Sequence, residues 1–100
     1  MMMIEFEWDP NKAESNLGKH QVAFAEAATV FGDPLAITVF DPDHSGQEDR
    51  FITVGTSTRS RPLMVAHTER PGGIRIISAR ELTRAERNEY EREIERRARR

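Results

Sequence analysis

Residues 4–8, IEFEW, set apolar Ile4, Phe6 and Trp8 between Glu5 and Glu7, the period-two alternation of a strand with one buried face. The pattern breaks at DPNK, where Asp9 is a good N-cap and Pro10 a good first helical residue. A helix is predicted from there through Leu17, stopping near Gly18. Lys12, Asn16, Lys19 and His20 fall on one side of it, which composition reads as solvated surface. FAEAATVFGDP predicts a second helix, with Phe24, Ala28 and Phe31 on a core-facing stripe and GDP as its stop.

Four strand candidates follow: LAITVF (35–40), RFITVGT (50–56), PLMVAHT (62–68) and GIRIISA (73–79). Their short links, rich in Gly, Ser, Pro and charge, favour antiparallel hairpins over helical crossovers. A third helix begins at TRAE, where Thr83 and Glu86 form a capping box, and continues through Tyr90 and Ile94 into a Glu/Arg-dense tail at 91–100 that is expected to fray. The order β-α-α-β-β-β-β-α describes an α+β fold with one mainly antiparallel sheet packed against helices, in a single domain over residues 1–100.

Charge changes this picture. Residues 1–50 carry three Lys/Arg against ten Asp/Glu, whereas residues 51–100 carry twelve Arg, no Lys and seven Glu. An arginine-only basic half suits phosphate or carboxylate, because the planar guanidinium matches both, although a salt-bridged helical surface has the same composition. There is no cysteine, hence no disulfide framework and no thiolate zinc site. Only MMMI precedes the first charge, so neither a signal segment nor a spanning helix is expected, and a cytoplasmic location is.

DPDHSGQEDRF resembles a calcium loop through Asp41, Asp43, Ser45, Gly46, Gln47 and Asp49, but Ile52 stands where the bidentate Glu is required. Strand-like flanks make it an acidic hairpin turn, with His44 at most a weak metal ligand. No phosphate-binding glycine loop is present. His20, at a helix C-terminus, suits a general acid or phosphate contact as chemistry and a simple terminal cation as structure. His67 shares a strand face with Leu63 and Val65, which makes it a core or rim histidine first and a general base second. Arg75 and Arg80 sit in a run of isoleucines, about 16 Å apart along the strand and on opposite faces unless a bulge intervenes. That spacing fits a chain of phosphates better than a single one.

FEWDPNKAESNLGKHQVAFAEAATVFGDPLAIT, HSGQEDRFITVG and IRIISARELTRAERNEY together resemble the BrnT toxins of toxin–antitoxin pairs, over residues 6–90. Gln21 replaces a common glycine and Ala23 a usual helix-capping serine. The resemblance implies a RelE-like fold and an endoribonuclease. It also implies a BrnA-type ribbon-helix-helix antitoxin as partner in a hetero-oligomer, with operator DNA reached only through that complex. No cofactor and no membrane are implied. RNA supplies its own nucleophile, the 2′-hydroxyl, so cleavage needs no metal but does need a base, an acid and cations for the developing phosphorane charge. Arg75 and Arg80 are assigned to phosphate positioning and charge stabilisation. Lys19 and His20 form a second cationic wall with His20 as acid. Arg50 serves the same anion or pairs with Glu48, and His67 or Glu48 is the base. Tyr90 is expected to pack the last helix on the sheet. The competing reading is a non-catalytic protein- or RNA-binding module using the same basic sheet edge.

Overall fold

A computed structural model describes residues 4–99; residues 1–3 and 100, and with them the expectations for the chain start and the last tail residue, lie outside the described residues. The elements follow in the expected order: β1 (Glu5–Glu7), α1 (Pro10–His20), α2 (Phe24–Thr29), β2 (Ile37–Phe40), β3 (Arg50–Thr56), β4 (Pro62–Arg70), β5 (Gly73–Glu81) and α3 (Arg84–Ala98). The strands form one five-stranded sheet in the order β1-β5-β4-β3-β2. Its hairpins are antiparallel and β1 joins parallel to β5.

Helices α1 and α2 cover one face. Val22, Phe24, Ala27 and Val30 are buried there against Leu63, Val65, Ile76 and Ala79, with Phe6, Trp8 and Phe31 packed at the margin. Trp8 meets Phe24 edge-on at 5.9 Å between ring centroids, so the residue that ends the first strand closes the core over the second helix. On the opposite face α3 lies over one end of the sheet, where it borders, with Ile37, Val54, Met64 and Leu82, a cavity of about 430 Å³. Tyr90 lines that cavity, half-buried, with its hydroxyl 3.4 Å from Asp33 Oδ2.

Two expectations about α1 need correction. The helix does not stop at Gly18 but runs to His20 and is ended by Gln21, which adopts the left-handed conformation at φ 55° while its N–H bonds the Leu17 carbonyl. A glycine is tolerated inside a helix, whereas the left-handed position disfavours a side chain, which explains why glycine suits position 21. Asn16, assigned to the solvated side, is 6% exposed. Its amide accepts from the Ala79 N–H at 3.1 Å and donates to the Ala79 carbonyl at 2.8 Å and the Val22 carbonyl at 3.0 Å. Because β1 pairs only as far as Arg75, Asn16 satisfies the β5 edge that no strand reaches.

The β4–β5 turn places Gly72 at φ +73°, after Pro71, the backbone that a tight turn of this kind requires. A Cβ on the next residue, Gly73, would lie 2.3 Å from the Glu5 carbonyl oxygen, so β1 can dock only on a glycine. Farther along, the register slips: Ala66 faces Ser78 but His67 faces Ile76, leaving Ile77 as the extra residue of a β-bulge. The core side of β5 therefore reads Ile74, Ile76, Ala79, and Arg75 and Arg80 emerge together on the face away from α1 and α2. The inserted residue is the bulge that the spacing of the two arginines left as the exception to opposite faces.

Candidate active site

The bulge brings Arg80 into a cleft of about 320 Å³ on the face opposite the core. Ile52, Met64, Ala66 and Ser78 make its floor, with Ile52, Ala66 and Ser78 side by side across β3, β4 and β5. Arg50, Arg80, His20 and His44 stand around it, with Asp41 behind His44. Four separate stretches of chain thus converge: the end of α1, the β2–β3 connection, the start of β3 and the far half of β5.

Arg80 is half-buried and held by Glu86, with N–H···O distances of 2.7 and 3.0 Å to the two carboxylate oxygens. That hydrogen bonding raises the guanidinium further above its ordinary range and pushes Glu86 down to about 2. Glu86 also accepts from the Thr83 N–H, completing the predicted capping box. A carboxylate gripped by a guanidinium fork is the geometry that a phosphate takes, so Arg80 is already oriented for an anion. Arg50 differs: among the described residues it has no carboxylate within ion-pair distance. Its expected partner, Glu48, is paired instead with Arg70.

The other assigned residues fall elsewhere. Arg75 donates to Glu7 at 2.7 Å, and Arg70 bridges Glu7 and Glu48, giving a surface network of alternating charge at the β1 end of the sheet. The acidic first strand, docked beside β5, neutralises Arg75. Glu48 is in the same network, outside the cleft lining. Lys19 is exposed beside His20 and does not line the cleft.

His67 is on the wrong side of the sheet for the cleft. It is 4% exposed, packed against Phe31 and Phe51. Its Nε2 is 2.7 Å from Thr53 Oγ1, which in turn meets Thr38 Oγ1. Burial pushes its pKa down to about 4, and its Nδ1 has no partner among the described residues. A neutral histidine walled off by the core cannot reach a substrate held by Arg80.

The geometry accords with what the chain is similar to. The profile described as "Ribonuclease toxin, BrnT, of type II toxin-antitoxin system" matches residues 8–86. The chain belongs to the BrnT family. It is thus a ribonuclease toxin of a type II toxin–antitoxin system, with an antitoxin as its partner. The 1.1 Å crystal structure of the Brucella abortus ribonuclease toxin BrnT superimposes with a TM-score of 0.60 at 19% identity, covering 82% of this chain and 100% of that one. That likeness bears on the fold alone. No curated protein matches the chain.

Of the cleft residues in this BrnT chain, Asp41 and His44 escaped assignment from sequence. The loop that carries them is flanked by β2 and β3, which settles the hairpin reading over the calcium one. A 3₁₀ turn over Pro42–His44 puts His44 Nδ1 2.8 Å from Asp41 Oδ2. Ser45 closes the loop, donating its hydroxyl to the Asp41 carbonyl at 2.6 Å and accepting the Arg50 N–H at 2.9 Å. In sequence Asp41 and His44 stand only in an acidic turn with calcium-like spacing. The partnership of His44 with Asp41 depends on the turn. Among the described residues no helix is long and apolar enough to cross a membrane.

Proposed function

We propose that this BrnT chain cuts RNA endonucleolytically, without a metal ion, by directing the substrate's own 2′-hydroxyl onto the adjacent phosphorus. The observation that carries this reading is the convergence of Arg80, Arg50 and His20 on one cleft. Arg80 and Arg50 hold the scissile phosphate and neutralise the charge that grows on it, and His20 protonates the departing 5′-oxygen. Glu86 occupies the Arg80 guanidinium fork in the free protein, so a substrate phosphate must share or displace that pair.

A BrnA-type antitoxin with a ribbon-helix-helix part neutralises the toxin, and operator DNA is met through that complex. The protein acts in the cytoplasm, where its RNA targets are. All of residues 1–100 serve this activity as one domain.

The test uses purified, antitoxin-free protein in excess EDTA with single-stranded RNA and the matching DNA. RNA is expected to be cut to fragments ending in 2′,3′-cyclic phosphate and DNA to remain intact, because DNA lacks the 2′-hydroxyl. Arg80→Ala is expected to lower kcat/KM by about 100-fold or more, the size of losing one charge-stabilising group. Full activity in Arg80→Ala, or RNA that is bound but left whole by folded wild-type protein, would replace this reading by that of a non-catalytic binding module.

A further inference from the structure

Transfer to phosphorus needs a group to remove the 2′-hydroxyl proton, and neither His67 nor Glu48 is in the cleft. We propose that His44, oriented by Asp41, is that general base, which rests on the ribonuclease reading above. His44 lines the same cleft as Arg50, Arg80 and His20. Its side chain is 65% exposed, whereas Asp41 behind it is 12% exposed. The partly buried carboxylate accepts from Nδ1 at 2.8 Å, so the neutral ring carries its proton there and leaves Nε2 as the acceptor. The same carboxylate faces the positive ring that forms once Nε2 takes a proton.

Asp41 is itself fixed. Its N–H bonds the Arg50 carbonyl at 2.8 Å and its carbonyl accepts from the Ser45 hydroxyl. The dyad is therefore tied to the strand that delivers Arg50. The charged and titratable groups facing His44 across the cleft are His20, Arg50 and Arg80, none of which is a carboxylate.

The step balances. His44 Nε2 takes the 2′-hydroxyl proton as the 2′-oxygen forms a bond to phosphorus. The bond from phosphorus to the 5′-oxygen breaks, and that oxygen leaves with a proton from His20. The products are a 2′,3′-cyclic phosphate and a 5′-hydroxyl, and the two histidines exchange protons with water before the next turnover.

A base and an acid are told apart by the leaving group. A bridging 5′-sulfur departs without a proton, so an acid-deficient enzyme regains activity on such RNA and a base-deficient enzyme does not. The RNA that wild type cuts is prepared with oxygen or sulfur at the scissile 5′ position. His44→Ala is expected to lose about 100-fold or more in kcat on both substrates, with KM little changed, and to regain part of it in added imidazole. His20→Ala should fail on oxygen and recover on sulfur. Asp41→Asn, which presents the wrong tautomer, should lose at least about tenfold in kcat. Folding is followed by unfolding midpoint, and His44→Gln serves as a second variant of closer size. Near-wild-type kcat in both His44 variants would overturn the proposal, as would recovery of His44→Ala on the sulfur substrate. Wild-type protein that cuts neither RNA would overturn the ribonuclease reading instead.

Discussion

Removing the charge of Glu26 should destabilise the protein by about 2–3 kcal/mol at neutral pH and flatten its acid unfolding. The Glu26 carboxylate, on α2, is 5% exposed. It accepts from Arg61 Nε at 2.9 Å, Arg61 Nη2 at 2.5 Å and Ser57 Oγ at 2.7 Å. These contacts, the Arg61 hydrogen bond above all, hold its pKa at about 2 against an ordinary 4.5. That interval corresponds to roughly 3 kcal/mol between the ionised and neutral carboxyl, less a share for water reaching the 23%-exposed Arg61. The folded pKa lies below the unfolded one. The contribution is therefore complete above pH 4.5 and disappears as pH falls through about 2.

Glu26→Gln keeps the shape and deletes this linkage. Urea unfolding at pH 7 should show a midpoint lowered by about 1–3 M, since chains of this size lose about 1–3 kcal/mol per molar urea. Wild type and variant should converge as pH falls from 5 towards 2, because protonation of Glu26 makes the same change. Arg61 also donates to the Gln21 carbonyl at 2.9 Å, next to His20, so the variant should loosen the end of α1 that supplies the proposed acid. A variant within 0.5 kcal/mol of wild type at pH 7, or a gap that persists unchanged to pH 2, would refute the reasoning.

Asn16→Ala should lose about 2–4 kcal/mol in the same urea assay, since it strands the Ala79 N–H and the Ala79 and Val22 carbonyls in the interior. His67 adds a second pH dependence. Its folded pKa of about 4 lies below 6.5, so its contribution is full above pH 6.5 and falls as pH drops towards 4, by about 1.4 kcal/mol per unit at the steepest. His67→Gln should lose that slope, and folded His67→Gln protein should cut RNA with kcat within a few-fold of wild type.

Elements set by local chemistry were readable from sequence. Alternation marked β1, Asp9 and Pro10 marked the start of α1, and Thr83 with Glu86 marked the start of α3. What escaped were events set by distant chain. Asn16 has the spacing of a surface residue, and only the absence of a strand beside Ala79 turns it inward. Arg75 looks like an anion ligand until Glu7, 68 residues away, docks on it. His44 and Asp41 are three apart in an acidic turn, a spacing that gives no hint of which cleft the turn will border.

The bulge is the event on which the site depends, and it left a trace. In IRIISA a regular strand would carry the core face from Ile74 to Ile76 to Ser78, burying a hydroxyl and exposing Ala79. Adjacent Ile76 and Ile77 followed by Ser78 mark the point where that phase fails. Inserting one residue restores burial of Ala79 and, as a direct consequence, rotates Arg80 out of the face that α1 and α2 cover. Without the insertion its guanidinium would be driven into the face packed by the apolar core, where a charge is costly to bury. With it, Arg80 lies across from Met64 on the same floor as Arg50 and within reach of His20 and His44. Burial of a small apolar residue and delivery of a cation to the cleft are thus one structural fact. A sequence change that restored regular pairing through residues 76–79 would exchange the site for a longer strand.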